Sequence, residues 1–270
     1  MSTETRLVAL DIDGTIVPNG SHEVCGETAA AVRDVIAAGH HVVLSTGRSL
    51  VGTVPIAQAL GLSIGTIVCS NGAVTARLDP ALPGGYEVTK SHTFAVGPAI
   101  TTVRKSLLGA QIGVEEIGWG YWVTRLFGPD EVNGAQRITT ADQLARSRTP
   151  RMILRAPAIL DLVGDLRRLG VTATPAAGDW LDVTPGSVSK ASALELVRQD
   201  LGVDRRFTVG VGDGLNDLPV FEWAAYAVAM GHASDVVTAA ADHVTGSIDE
   251  QGLVPVLRAL IATPVAVNTR

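Results

Sequence analysis

The sequence predicts an α/β fold, in which a doubly wound, Rossmann-like core with a parallel sheet carries an inserted α+β cap domain. Short apolar runs alternate with helical segments over residues 1–80 and again after residue 185. Between these stretches the pattern becomes α+β, and all four tryptophans lie at or after Trp119. This interruption predicts a core made of residues 1–80 and 185–270 and a cap made of residues 81–184.

The first part of the core shows a β-α-β-α-β order. Each apolar run is short and ends at polar residues, which is typical of a buried strand in a parallel sheet. The segments between these runs have helical periodicity, and the first of them ends at Gly39. The predicted elements are a strand at 7–10, a helix at 28–38, a strand at 41–44, a helix at 50–60 and a strand at 64–69.

The same alternation returns after the predicted cap. Within the cap we expect strands at 151–155 and 180–183, with a helix at 160–169 between them. After it the predicted elements are a helix at 191–201, strands at 207–211, 225–230 and 243–244, and a closing helix at 253–261. The return of alternating strands and helices indicates that both ends of the chain contribute to one core.

The charge and hydropathy patterns exclude two classes of partner. The formal net charge is −6 without a long basic run, so the surface lacks the positive field that nucleic acids require. No uninterrupted apolar stretch reaches the roughly 20 residues of a membrane-spanning helix, and the polar start at residues 1–4 is unlike a signal peptide. We therefore expect a cytoplasmic protein, either a monomer or a homodimer, that binds neither nucleic acid nor a membrane.

Four polar clusters lie at or near the ends of the predicted core strands. They are residues 11–15 (DIDGT), residues 45–48 (STGR), Lys190 and residues 212–217 (GDGLND). In open parallel sheets, ligands bind outside the carboxyl ends of the strands. We therefore expect the four clusters to form a single site.

The acidic residues of these clusters predict a metal ion. Asp11, Asp13, Asp213 and Asp217 would repel one another strongly unless a cation lay among them. Hard oxygen ligands on a site that stays partly open to water favour Mg²⁺ over zinc. Lys190 adds a further positive charge, so the site is suited to bind a phosphoryl group and to stabilise the charge on its oxygens.

Two of the carboxylates have the positions expected for covalent catalysis. Asp11 is the first residue beyond its strand and is therefore rigidly held, which favours it as the nucleophile that forms an aspartyl-phosphate. Asp13 would protonate the leaving alcohol and then deprotonate the attacking water, and we expect burial or a nearby like charge to help it hold a proton. The hydroxyl of Ser45 and the backbone N–H groups of the glycine-rich turn would bind the phosphoryl oxygens.

These residues resemble the signature of the haloacid dehalogenase-like superfamily, which is Asp-x-Asp-Gly-Thr, then Ser/Thr, then Lys, then Gly-Asp-x-x-x-Asp. The place of the insertion, between the second and third motifs, resembles the Cof-type sugar-phosphatase subgroup with a large α/β cap. The resemblance implies that Asp11 is the nucleophile and a metal ligand, and that Asp13 is the acid/base and binds the metal through its carbonyl. It also implies that Asp213 is a metal ligand, that Asp217 supports the metal from behind or binds Lys190, and that Lys190 orients and neutralises charge. The implied phosphate-binding residues are Ser45, Thr46, Gly47 and Asn216.

Three further residues are candidates for substrate contacts. Arg48 either faces the substrate or belongs to a plain helix entry. Asn71 lies in a Ser-Asn-Gly-Ala segment that is similar to the same subgroup. Asp182 is either a cap-side or hinge contact or a satisfied surface carboxylate.

The sequence thus predicts a Mg²⁺-dependent phosphomonoesterase that hydrolyses a small phosphorylated metabolite, such as a sugar phosphate, through Asp11. One alternative is a phosphotransferase or mutase, which passes the phosphoryl group to a second sugar. Another is a phosphate-binding regulatory protein in which Asp11 carries a stable phosphoryl group, as in receiver domains. A receiver is about half this length and lacks an inserted cap, so phosphatase activity is favoured.

Overall fold

The computed structural model describes residues 5–129 and 131–262. Residues 1–4 and 263–270 of the predicted core, and residue 130 of the predicted cap, lie outside the described part. The described residues form an eight-stranded sheet, here called the larger sheet, and a six-stranded sheet, here called the smaller sheet. A third sheet consists of two short strands.

The larger sheet takes its strands from both ends of the chain. The first part contains β1 (Leu7–Leu10), α1 (Gly26–Ala37), β2 (His41–Ser45), α2 (Leu50–Leu60), β3 (Gly65–Cys69), β4 (Val74–Leu78) and β5 (Tyr86–Ser91). The insertion contains β6 (Phe94–Ala95), α3 (Gly97–Ser106), β7 (Gln111–Glu116), β8 (Gly120–Val123), β9 (Ala135–Ile138), α4 (Ala141–Leu144), β10 (Arg148–Thr149), β11 (Met152–Arg155), α5 (Val163–Arg167), β12 (Val171–Ala177) and β13 (Trp180–Pro185). The last part contains α6 (Lys190–Asp200), β14 (Thr208–Gly212), α7 (Leu218–Trp223), β15 (Tyr226–Ala229), α8 (Asp235–Ala240), β16 (His243–Val244) and α9 (Leu253–Ala262).

β1 lies inside the larger sheet, whose strand order is β16-β15-β14-β1-β2-β3-β4-β5. All four of its residues are buried, because helices cover both faces of the sheet. Val8 and Leu10 pack with residues of α1, α2 and α9, while Leu7 and Ala9 pack with residues of α6 and α7. Burial on both faces explains why this strand is a continuous apolar run rather than an alternating one.

The helices of the core agree closely with the sequence prediction. The predicted helix at 50–60 coincides with α2, and the ends of those at 28–38, 191–201 and 253–261 lie within two residues of the ends of α1, α6 and α9. The predicted helix at 160–169 is instead a 3₁₀ turn at Ile159–Leu162 followed by the short α5. No helix within residues 5–129 and 131–262 has the length and apolar character needed to cross a membrane.

The larger sheet ends in two antiparallel strands, one of which lies in the segment that the sequence analysis assigns to the cap. β4 and β5 pair in antiparallel fashion with β3 and with each other, so residues 86–91 belong to the larger sheet. The Pro- and Gly-rich stretch at which the sequence predicts the domain boundary contains the tight turn at Pro83–Gly85 between these two strands. The pairing therefore favours a cap that begins after β5.

The insertion is built on the smaller sheet, whose strand order is β12-β13-β11-β7-β8-β9. Its neighbouring strands are antiparallel except for β8 and β9, which are parallel. One face packs against α3 and α5 through a cluster of buried apolar side chains. A second, smaller cluster, around Tyr121, Phe127 and Ile153, packs against the partly buried Trp180.

Candidate active site

The carboxyl ends of three neighbouring strands meet at one edge of the larger sheet. β1 pairs in parallel with both β14 and β2. Leu10, the last residue of β1, pairs with Val211 of β14 and with Leu44 of β2, which directly precedes Ser45. The backbone N–H of Asp11 donates to the carbonyl of Val211 at 3.0 Å. Asp11 is therefore still anchored to the sheet, and the predicted clusters after β1, β2 and β14 lie side by side.

Lys190 is enclosed between two carboxylates. It is the first residue of α6, its side chain is 0% exposed, and its Nζ lies 2.8 Å from Oδ1 of Asp11 and 2.7 Å from Oδ1 of Asp217. Oδ2 of Asp217 accepts hydrogen bonds from the backbone N–H groups of Asp213 and Gly214, at 3.1 and 3.0 Å. Burial by itself would lower the pKa of Lys190, but the carboxylates of Asp11 and Asp217 outweigh it and raise that pKa above its ordinary value.

Three carboxylates converge beside this lysine. Oxygen atoms of Asp11, Asp213 and Asp217 all lie within 4.8 Å of one another. Burial, followed by the charge of Asp217, raises the pKa of Asp11 well above its ordinary value, and the same two causes raise the pKa of Asp213 to about 6. A divalent cation would favour the ionised forms of these groups, and a set of carboxylate oxygens fits the preference of Mg²⁺.

The loop after β1 approaches Asp213 closely. Gly14 has a φ angle of +73°, and a Cβ atom at this position would stand 2.2 Å from Oδ2 of Asp213. A side chain at position 14 would therefore displace that carboxylate and strain the backbone. The hydroxyl of Thr15 donates to the other oxygen of Asp213 at 3.3 Å. The glycine and the threonine of the DIDGT motif thus fix the position of Asp213.

The two predicted phosphate-binding hydroxyls have different surroundings. Oγ of Ser45 is buried and has no hydrogen-bond partner among the described residues. An unpaired buried hydroxyl costs free energy, so this atom is available to a polar ligand. The hydroxyl of Thr46 instead accepts the backbone N–H of Arg48 at 3.1 Å, which stabilises the turn after β2.

Gly47 and two asparagine side chains form a second polar group at this edge. The amide of Asn216 donates from Nδ2 to Oδ1 of Asn71 at 2.9 Å. A Cβ atom on Gly47 would lie 3.3 Å from Oδ1 of Asn71 and 3.5 Å from Nδ2 of Asn216. The absence of a side chain at position 47 therefore keeps both amides accessible, and all three residues line the same cleft.

Arg48 contacts Asp13. Its Nε donates to Oδ2 of Asp13 at 2.8 Å, and its Nη2 donates to Oδ1 at 2.6 Å and to the carbonyl of Ser21 at 2.7 Å. The expected burial of Asp13 is not found, because its side chain is 33% exposed and pairs with this cation. Arg48 thus fixes the orientation of the predicted acid/base.

These groups open onto a cleft with a volume of about 600 Å³. From the edge of the larger sheet the lining includes Asp11, Asp13 and Asp213, and from the insertion it includes Arg151 and Asp182. A cavity of this size accommodates a small metabolite, and its polar lining comes from both parts of the chain.

A protein-family model described as haloacid dehalogenase-like hydrolase matches residues 8–81 and 158–257. The two matched stretches contain all four polar clusters, and the unmatched residues between them cover most of the insertion. This chain belongs to the haloacid dehalogenase-like hydrolase family. The membership predicted from the motifs is thereby confirmed.

Curated relatives and solved structures match this hydrolase over nearly its whole length. It is 26% identical over 266 residues to 5-amino-6-(5-phospho-D-ribitylamino)uracil phosphatase YcsE of Bacillus subtilis (strain 168), covering 94% of this chain and 95% of that protein. It is 26% identical over 257 residues to a phosphoglycolate phosphatase of Methanothermobacter thermautotrophicus, covering 94% and 97%. The solved structure of the HAD subclass IIB sugar phosphatase BT4131 has a TM-score of 0.80 at 23% identity and covers 94% of this chain and 98% of its own. The predicted phosphatase class and α/β fold class are confirmed by these matches.

The insertion of this hydrolase contacts the core beside the candidate site through two consecutive residues between β3 and β4. Ser70 and Asn71 are buried and have φ angles of +51° and +54°, a conformation that costs about 1–3 kcal/mol per residue. Oγ of Ser70 lies 2.9 and 2.8 Å from the two carboxylate oxygens of Glu115 in β7. Nδ2 of Asn71 donates to Oδ2 of Asp182 in β13 at 3.1 Å. These contacts offset the strain and connect the insertion to the site.

Asp182 is buried and is therefore not a surface carboxylate. Its two oxygens accept Nε and Nη2 of Arg151, at 3.1 and 2.9 Å, and Oδ1 also accepts Nε1 of Trp180 at 3.2 Å. Sequence reasoning missed Arg151 and Glu115. The spacing of Arg151 and Arg155 was the available signal, since residues four apart in a strand share one face. Glu115 gives no such signal, because a glutamate in a strand is ordinarily expected on the exposed face.

The burial of Glu115 predicts a pH dependence of stability. Burial raises the pKa of this carboxyl group to about 7, from an ordinary value of 4.5. Between these values the folded protein holds a proton that the unfolded chain has released, so stability falls as the pH rises through this window. The substitution Glu115→Gln removes this loss. Relative to the wild type, the free energy of unfolding of the variant should rise by roughly 2 kcal/mol between about pH 5 and about pH 8, measured by urea denaturation.

Glu23→Gln is the matched control, because Glu23 is exposed. This variant should follow the pH dependence of the wild type. If the free energy of unfolding of Glu115→Gln changed between the two pH values by the same amount as that of the wild type, Glu115 would not hold a proton in the folded protein.

Proposed function

We propose that this enzyme is a Mg²⁺-dependent phosphomonoesterase that hydrolyses a small phosphorylated metabolite through an aspartyl-phosphate on Asp11. One observation carries the proposal. The carboxylate of Asp11 lies beside the ammonium group of Lys190 and close to Asp213, on the wall of a cleft of about 600 Å³. A carboxylate held in this way can attack phosphorus, while the positive charge around it neutralises the phosphoryl oxygens.

The ion would be held by carboxylate oxygens of Asp11 and Asp213 and by the backbone carbonyl of Asp13. The raised pKa values of Asp11 and Asp213 support a cation between them. Asp217 would hold the site from behind, because its oxygens already bind Lys190 and two backbone N–H groups. When bound, Mg²⁺ neutralises part of the negative charge on the phosphoryl oxygens.

The phosphoryl group would be bound by residues 45–47, Lys190 and Asn216. The strongest support comes from Ser45, whose buried hydroxyl has no hydrogen-bond partner among the described residues. Gly47 leaves the amide of Asn216 accessible from the cleft. Thr46 would contribute through its backbone, because its hydroxyl already accepts the N–H of Arg48. Lys190 would orient Asp11 and balance the added charge.

The reaction would proceed in two steps. In the first, an oxygen of Asp11 forms a bond to phosphorus, the bond from phosphorus to the leaving oxygen breaks, and protonated Asp13 donates its proton to that oxygen. In the second, Asp13 accepts a proton from water, the water oxygen attacks phosphorus, and inorganic phosphate leaves as the Asp11 carboxylate is restored. Arg48 would orient Asp13 as a carboxylate, the form that accepts the proton from water in the second step, since it binds both carboxylate oxygens.

The insertion, from β6 to β13, would act as a cap that excludes bulk water and selects the leaving group. Its contacts through Glu115 and Asp182 support this role. The two curated relatives are named as phosphatases of a phosphorylated ribitylaminouracil and of phosphoglycolate. Both compounds are small phosphomonoesters, which supports a substrate of that class, such as a sugar phosphate.

Release of inorganic phosphate from p-nitrophenyl phosphate, measured with and without Mg²⁺, tests this function. The wild type should release phosphate only with the ion, and Asp11→Asn should lower kcat by at least about 10³-fold, because an amide is no nucleophile. Asp34→Asn, at an exposed position of α1, is the matched control and should retain full activity.

Each alternative gives a different result in this assay. Phosphate that appears on an added sugar rather than in solution would indicate a phosphotransferase. A stable phosphoryl group on Asp11 without turnover would indicate a regulatory protein. Turnover by Asp11→Asn at the wild-type rate would refute the proposed nucleophile.

The role of Asp13 predicts a difference between the two half-reactions. With 2,4-dinitrophenyl phosphate the leaving group needs no proton, so Asp13→Asn should retain the initial burst of dinitrophenol in rapid-mixing kinetics. The steady-state rate that follows should fall about 10²- to 10⁴-fold, because the attacking water has lost its base. A normal steady-state rate in this variant would exclude Asp13 as the base.

A further inference from the structure

The wall of the cleft that comes from the insertion has two rows of polar side chains. Ile153 and Arg155 lie on the same face of β11. Ile153 pairs with Asp182 of β13 in one row, and Arg155 pairs with Trp180 of β13 in the other row. Asp182 contacts Asn71 in the turn after β3, and Trp180 precedes Asp182 by two residues in β13, which corresponds to roughly 7 Å. The row around Asp182 is therefore next to the reaction, and the row around Trp180 is further out.

The inner row is electrically neutral. Arg151, which directly precedes β11, donates to both oxygens of Asp182. The side chain of Arg151 is only 12% exposed and that of Asp182 only 8%. Because the charge of Arg151 is neutralised by the buried carboxylate of Asp182, this pair does not attract an anionic ligand.

In the outer row, Arg155 is bound by two carboxylates. Its Nε donates to Asp179 at 3.0 Å, and its Nη1 donates to Glu131. Glu131 is itself held by the backbone N–H of Gly128 at 2.6 Å. The wall thus presents the carboxylates of Glu131, Asp179 and Asp182 against two guanidinium groups, which leaves one net negative charge.

An aromatic surface adjoins these charges. The ring of Trp180 packs against Phe127 with 5.2 Å between the ring centres, and the guanidinium carbon of Arg155 lies 5.9 Å from the centre of the Trp180 ring. Trp180 also lines the cleft. Carbon-bound hydrogens of a ligand can pack on such a ring, while neighbouring carboxylates and guanidinium groups accept and donate hydrogen bonds.

We propose that this wall selects phosphomonoesters whose leaving alcohol is uncharged and carries further hydroxyl groups, and rejects those whose leaving group carries a carboxylate or a second phosphate. The inference rests on the proposed phosphatase function and concerns the choice of substrate at the same site. A hydroxyl group both donates and accepts, so it is compatible with a wall of alternating acids and bases. An added anion would meet net negative charge, and both arginines of the wall are already paired.

Glu131 and Asp179 are the specificity-determining residues in this account. They do not contact the reacting atoms, but they cancel the charge of Arg155. Without them, Arg155 would be free to bind a carboxylate of the ligand through a charge-assisted hydrogen bond.

The test compares pairs of substrates in which one alcohol is replaced by a carboxylate. The pairs are sorbitol 6-phosphate with 6-phosphogluconate and glycerol 3-phosphate with 3-phosphoglycerate, and p-nitrophenyl phosphate is the reference. The wild type should favour the uncharged member by at least about tenfold in kcat/KM. In the double variant Glu131→Gln/Asp179→Asn this preference should shrink by about tenfold, when each kcat/KM is divided by the value that the same variant gives for the reference.

The triple variant, which adds Arg155→Gln, is the matched control. In this variant the activity gained by the double variant towards the carboxylate substrates should be lost, because that gain requires the guanidinium group of Arg155. All three positions are at least one-third exposed, and thermal denaturation checks that the variants remain folded.

Three results would overturn the proposal. They are a wild type that favours the carboxylate members or has no preference, a gain that persists in the triple variant, and hydrolysis of the reference without hydrolysis of either uncharged substrate. Absence of activity towards every compound, the reference included, would instead refute the proposed phosphatase function.

Discussion

The buried ion pairs of Lys190 with Asp11 and Asp217 are the interaction on which the rest of the site depends. An ammonium group that is 0% exposed is stable only when carboxylates replace its lost hydration. The same contacts hold Asp11 at the end of β1 and tie α6 to the turn after β14, through the second oxygen of Asp217. Removing one partner of such a buried pair costs about 3–5 kcal/mol, so the proposed reaction and the stability of the fold would depend on the same atoms.

The two parts of the chain have distinct tasks in this arrangement. In the proposed reaction the larger sheet would supply the reacting groups, because the ends of three parallel strands bring them together. The insertion would supply the wall that faces the leaving group. Ser70 and Asn71 join the two parts, and their left-handed backbone is held by Glu115 and Asp182 of the insertion. Asn71 also binds Asn216, so the position of the insertion is coupled to a residue of the proposed phosphate site.

The core could be predicted from the sequence because one rule governs it: polar clusters after parallel strands share an edge. Asp11 and Asp213 follow from that rule without knowledge of any contact. The pairing of Arg48 with Asp13 could not be predicted, because a loop arginine can reach several acids. Glu115 was missed for another reason, since its burial depends on how the insertion packs against the core. The hairpin of β4 and β5 was missed because the largely exposed edge strand β5 and the Pro- and Gly-rich turn before it resemble a linker.

The central claim is that Asp11 accepts a phosphoryl group beside a cation that it shares with Asp213. A crystal structure of the protein with Mg²⁺ and beryllium fluoride, which mimics a phosphoryl group on a carboxylate, tests it most directly. The account predicts the fluoride adduct on Asp11, with Mg²⁺ bound to both Asp11 and Asp213 and with Lys190 still in contact with the site. An adduct on another residue, or an ion that contacts only one of the two aspartates, would contradict it.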